Sequence, residues 1–161
     1  MAEAKLEAKG SPKGLTRALY RAPIWLYRAH LGFRFGHRLV MIEHIGRKSG
    51  EVRRTVLEVV ADEGDAVYLA AAWCAKAQWL QNVKANPNVR VHLGRLRFDS
   101  VAEVLEREEA FRVLTEYSDA HPWSLAGLSR FMLNDPGETV GEQIEEVSAL
   151  VPFVRLPKTF G

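Results

Sequence analysis

Apolar residues recur with two different periods along this chain. From Leu15 to Phe35 the side chains Leu15, Leu19, Ala22, Leu26 and Phe33 fall at three-, four- and seven-residue steps, the spacing of a helix face. Pro23 kinks this helix or opens a second segment. From Leu39 onwards the period shortens. Leu39–Ile45 (LVMIEHI) predicts an apolar strand and Val52–Val60 (VRRTVLEVV) a β-branched one, with Gly46-Arg47-Lys48-Ser49-Gly50 as the turn between them. Asp62-Glu63-Gly64-Asp65 marks a second turn before a strand over Val67–Ala72. Residues 78–85 (QWLQNVKA) read as a short helix stopped by Asn86-Pro87. Val89–Leu93 alternates and resumes the sheet, pairing with a strand from about Leu96 to Leu105.

After Arg107 the helical period returns. Glu108–Ala120 places Phe111, Leu114 and Tyr117 on one face, Pro122–Leu133 forms a second helix closed by Asn134-Asp135-Pro136-Gly137, and Thr139–Leu150 turns Val140, Ile144 and Val147 inward. Phe153–Leu156 predicts an edge strand limited by Pro152 and Pro157. Residues 1–13 are small and polar, which predicts a disordered start to a single domain over 14–161. Five or six strands with short hairpins, one short helix among them and helices at the end make an α+β fold built on a small barrel.

Composition changes little in this picture. With 161 residues, 47% hydrophobic and 26% charged, the chain can bury a core without disulfides, and its single cysteine, Cys74, excludes an internal one. Cys74 reads as a small buried hydrophobe. No apolar run is long enough to span a membrane, and the charged N-terminus lacks the apolar core of a signal peptide, so a cytoplasmic protein is expected. His30, His37, His44, His92 and His121 show no metal-ligand spacing, so no metal is expected.

Charge adds more. Residues 1–98 hold 17 basic and 8 acidic side chains, and residues 99–150 hold 12 acidic and 3 basic ones. No acid lies between Glu7 and Glu43. This asymmetry points to an anionic partner for the N-terminal half: a phosphate ligand, or an anionic membrane touched peripherally by the basic N-terminal helix. Nucleic acid is not expected, because no recognition motif accompanies the charge.

The turn from Gly46 to Gly50 carries the most chemistry. Two adjacent cations, a hydroxyl and two glycines can wrap an anion with side chains and backbone N–H groups. Arg53 and Arg54 alternate on the next strand, so one of them points back to the same anion. A solvated basic hairpin is the other way to read these residues, and the P-loop spacing is missing.

Gly46-Arg47-Lys48-Ser49-Gly50 followed by a strand, then Leu69-Ala70-Ala71-Ala72, then Trp79-x-x-Asn82-x-x-Ala85-Asn86-Pro87 resembles the deazaflavin (F420)-dependent nitroreductase family over about Leu39 to Gly94. The resemblance implies a split β-barrel, of the kind that binds FMN in related oxidases, with an N-terminal helix and C-terminal helices. It implies coenzyme F420 (8-hydroxy-5-deazaflavin), a hydride carrier with a phosphate and a polyglutamate tail, with FMN as the alternative. Carried onto matching positions, Arg47, Lys48 and Ser49 would meet the phosphate with help from Arg53, and Lys76 would stand for the family's usual lysine. The backbone at Thr55 and Val56 would line the ring with Ala71, Ala72 and Trp73, and the helix bearing Trp79 and Asn82 would close the site. Tyr117 and His121 lie where relatives place groups over the substrate, and either can donate a proton. The residues by themselves favour a core role for Tyr117 and a helix-preceding one for His121.

The expected activity is transfer of a hydride from the reduced coenzyme to a quinone, enone or nitro compound. The rival is a non-catalytic split barrel that holds a cofactor, flavin, haem or lipid. Both a monomer and a homodimer fit the sequence.

Overall fold

Alternation of apolar and polar side chains in the middle of the chain becomes an antiparallel sheet. The computed structural model describes residues 37–71, 76–120, 129 and 137–159. The expected disorder of residues 1–13, the helix over Leu15–Phe35, nearly all of the helix over Pro122–Leu133, and Ala72, Trp73, Cys74 and His121 lie outside these residues. The described elements are β1 (Leu39–Ile45), β2 (Val52–Glu63), β3 (Ala66–Ala70), α1 (Gln78–Ala85), β4 (Asn88–Leu93), β5 (Leu96–Val101), β6 (Glu103–Val104), α2 (Arg107–Ala120), α3 (Val140–Leu150) and β7 (Phe153–Pro157). No helix among the described residues is long and apolar enough to cross a membrane.

The seven strands run in the order β5-β4-β1-β2-β3-β7-β6. Only Ala102 separates β5 from β6, so one piece of chain supplies both edges and the sheet curls onto itself. Ala102 N donates to Pro87 O at 2.8 Å, and the buried Ser100 Oγ donates to Pro157 O at 2.7 Å across the closure. Closure leaves few unpaired strand edges to recruit another chain.

Strand parity sorts the apolar residues into two layers. Val40, Ile42, Leu57, Leu69, Val91 and Leu156 point inward and meet Trp79, Leu80 and Val83 of α1. Val60, Tyr68, Ala70 and Phe153 point outward and carry α2 and α3 through Val113, Leu114, Ile144 and Val147. A β-bulge between Val59 and Ala61 shifts the register, so Ala61, which alternation from Leu57 and Val59 would turn inward, joins Val60 on the helix-covered face.

Several sequence expectations change. β2 continues through Asp62-Glu63, where a turn was expected, and β3 begins at Ala66 and ends at Ala70. The strand expected over Leu96–Leu105 is broken at Ala102 because its two halves pair with different neighbours, β4 and β7. β7 is no edge strand: it pairs with β3 on one side and β6 on the other. Pro152 precedes it and Pro157 ends it, so neither proline takes an N–H from the middle of the ladder. Val140, expected inward, is exposed at 53%, and Phe111, expected on one face with Leu114 and Tyr117, is exposed at 43%. The buried faces run through Ala110, Val113 and Leu114 on α2 and through Ile144 and Val147 on α3.

α3 starts with a capping box. Thr139 Oγ1 accepts from Glu142 N at 3.2 Å, and the Glu142 carboxylate accepts from Thr139 N at 3.0 Å. Thr139→Ala is expected to lower stability by about 1 kcal/mol, read as a shifted urea midpoint with an unchanged slope.

Candidate functional site

The β1–β2 hairpin is closed by two backbone bonds, Gly46 N to Glu51 O and Gly50 N to Gly46 O, both 2.8 Å. Gly50 has φ 69°, a conformation that glycine adopts without strain. At Gly46 an added Cβ would lie 2.7 Å from Ser49 Oγ, so the bare glycine lets that hydroxyl fold over the turn. Ser49 Oγ accepts from Glu51 N and from Arg53 Nη2, each at 3.3 Å. Arg53 also pairs with Glu51 at 2.9 Å. Arg54 faces the other way and pairs with Glu43 at 3.1 Å, so Arg53 is the arginine that turns back to the loop. Lys48 is exposed, and its ammonium has no partner among the described residues.

Arg47 is clamped to α1. Its backbone N and its Nη1 donate to Asn82 Oδ1 at 3.1 and 2.9 Å, and its Nη2 donates to Gln78 Oε1 at 3.0 Å. Helical spacing puts Gln78 and Asn82, four residues apart, on one face of α1. Asn82 is buried, and its Nδ2 lies 3.3 Å from His44 Nδ1. His44 Nε2 in turn lies 3.2 Å from Thr55 Oγ1. Register explains the meeting: Ile42 faces Thr55 and His44 faces Arg53 across β1 and β2, all on the inward side. Burial first, and the Arg53 charge second, lower the His44 pKa to about 4, so the ring is neutral at physiological pH.

The fold therefore gathers Arg47, Ser49, Arg53, Thr55 and Asn82 at one end of the barrel, with Lys48 beside them. Val56 lies on the opposite face of β2 from Thr55, so its side chain points away from this cluster. Ala71 is fully buried, and its N donates to Pro152 O. Lys76 is exposed, and its carbonyl accepts from Gln78 Nε2 at 3.3 Å. Trp79 packs in the interior layer, and its buried Nε1–H has no hydrogen-bond partner among the described residues. Tyr117, on α2, packs against the other layer, away from the turn. His44 and Gln78 were absent from the sequence reading of the site. Strand parity was the available signal for His44, which shares the inward positions of Val40 and Ile42.

A guanidinium braced by two side-chain amides, an open lysine and a second arginine suit an anion bearing phosphate and carboxylate groups. The inward Thr55 and the apolar barrel wall next to it offer a ring one polar contact and apolar surface. The residues present thus fit a phosphorylated, acidic-tailed ring coenzyme.

A model of the F420H2-dependent quinone reductase family matches residues 19–123. Among solved structures, an F420-H2 dependent reductase (FDR-A) is similar at 25% identity with a TM-score of 0.52, covering 75% of this chain and 95% of that one. A domain-swapped dimer (22% identity, TM-score 0.53, 84% and 99% covered) shares the fold. So does HutZ, a heme storage protein from Vibrio cholerae (16% identity, TM-score 0.52, 84% and 92% covered). No curated protein matches the chain. The architecture is the split barrel with appended helices that the motifs implied, and the family's coenzyme is F420. Since the family match spans well over half of the chain, the protein belongs to the F420H2-dependent quinone reductase family and is an F420-dependent oxidoreductase.

Proposed function

We propose that reduced F420 lies across the end of the barrel, its acidic tail on Arg47, Lys48, Ser49 and Arg53 and its ring beside Thr55, and that the electron-poor substrate is a quinone, with enones and nitro compounds as further acceptors. The observation that carries this reading is the bracing of Arg47 by Asn82 and Gln78, which presents a fixed cation next to the inward-facing Thr55. Lys76 extends the cationic lip, and Ala71, Ala72, Trp73 and the backbone at Val56 complete the ring slot in this proposal. When bound, the coenzyme supplies a hydride, which with one proton reduces a quinone to its hydroquinone.

The chain's own contribution is orientation and charge. Cations at the tail anchor the coenzyme away from the reacting centre, so that binding energy there sets the position of the ring. The apolar wall excludes water from the slot. Tyr117 and His121 are proposed proton donors, with solvent as the alternative source. The substrate is a small molecule, and the protein acts as a monomer or homodimer.

Titration with reduced F420 followed by tryptophan fluorescence, then coenzyme oxidation with a benzoquinone, an enone and a nitroarene, tests this. We expect micromolar binding and enzyme-dependent oxidation that is fastest with the quinone. Tight binding with no turnover of any acceptor would make the protein a coenzyme carrier, and absence of binding would remove the proposed site.

A further inference from the structure

His44 is 3% exposed and engaged at both ring nitrogens. The direction of its bonds is set from the cationic end. Asn82 Oδ1 accepts twice from Arg47, so the Asn82 amide must turn its Nδ2–H towards His44, and Nδ1 must accept. The remaining ring proton then sits on Nε2 and is donated to Thr55 Oγ1. With that oxygen occupied as an acceptor, the Thr55 hydroxyl hydrogen has no acceptor among the described residues.

We infer that His44 is a positioning residue: it fixes the hydrogen-bond polarity across the end of the barrel, holding Arg47 at the anion through Asn82 and leaving Thr55 O–H to donate to an acceptor oxygen or nitrogen of the bound ring. The inference rests on the reading that the turn and Thr55 flank the coenzyme. Only a neutral imidazole does both tasks, because a charged ring has no lone pair for Asn82. Burial and the facing Arg53 of β2 keep it neutral, and α1 turns only the uncharged Asn82 towards it. One oriented chain of donors thereby links the tail-binding cation to the ring-binding hydroxyl.

Proton–nitrogen correlation of the imidazole in the ligand-free protein reads the tautomer directly. The expected result at neutral pH is a protonated Nε2 and a bare Nδ1; a protonated Nδ1 overturns the inference whatever the coenzyme does. His44→Leu is expected to weaken reduced F420 binding by about tenfold and to speed amide exchange at Arg47. His44→Gln, whose amide can accept from Asn82 and donate to Thr55, restores most of both. Thr55→Val weakens binding by about threefold without touching Arg47 exchange. A folded H44L that binds like the native protein, or an H44Q as impaired as H44L, overturns the inference. Should H44L fail to fold, the tautomer, H44Q and T55V decide it. A native protein that binds no F420 overturns the coenzyme reading and the role given to Thr55, while the tautomer and Arg47 exchange still decide the link from His44 to Arg47.

Discussion

Replacing Arg47 and Lys48 together by alanine will weaken binding of reduced F420 by about a hundredfold or more while the barrel stays folded. A hydrogen bond to a charged group contributes about 1.5–3 kcal/mol, and the double variant removes two cations from the turn. Arg47→Ala also frees Gln78 Oε1 and leaves buried Asn82 Oδ1 with the bond from the backbone N of residue 47. Gln78 is exposed, so water can replace that bond, and the loss of stability stays near 1 kcal/mol. Arg47→Lys separates charge from geometry: it keeps the cation but loses the fork that spans Asn82 and Gln78, so its affinity falls between native and double variant. Native affinity will drop with added salt, and that slope will flatten in the double variant. A folded double variant with native affinity and native salt slope would remove the tail from this turn.

The second large effect is on stability in mild acid. Between pH 6.5 and about 4 the unfolded chain protonates His44 and the folded chain does not. The unfolded state then binds more protons, so stability falls as pH drops through this window and levels off below it. The full shift corresponds to about 3 kcal/mol; water at the end of the barrel screens Arg53, and about 2 kcal/mol is the expected loss. H44Q does not titrate, and subtracting its stability–pH curve from the native one isolates the imidazole. His92, also lowered mainly by burial, contributes to both curves and cancels. Asp62, Asp99, Glu109 and Glu142 carry pKa values held below the usual carboxylate range, Asp99 by Arg90 and Glu109 by Arg112. Their stabilisation is lost as pH falls from their ordinary values, overlapping the acid end of the His44 window, and it is common to both curves and cancels. Superimposable native and H44Q curves would mean that His44 titrates as in an open chain.

The strands were legible because β1, β2 and β4 alternate or carry β-branched runs, and the turn was legible because Gly46 and Gly50 bracket its cations. What escaped detection depended on partners distant in sequence. β7 has the composition of an edge strand, with a proline at each end, but β3 and β6 enclose it. Phe111 and Val140 fit a helical stripe, but the stripe that docks is set by where the outer face of the sheet lies. His44 hides in an apolar run, where a lone histidine looks like core; its meaning comes from Asn82, brought to it by the docking of α1. Arg53 and Arg54 were separable in principle by alternation, and the register with His44 and Glu43 assigns which one serves the turn.

The central position of β7 makes assembly of the barrel wait for the synthesis of residues 153–157. β3 gains its second neighbour, and β6 its only one, from residues 153–157. While the ribosome still covers that stretch, β3 presents an open ladder and β6 lacks the strand that ties it to β3. The earlier hairpins can form during translation, but the closed barrel must wait until residues 153–157 have left the ribosome. In that interval β7 of one nascent chain and the β3 ladder of another are complementary, and the same pairing that completes one molecule can join two by strand exchange.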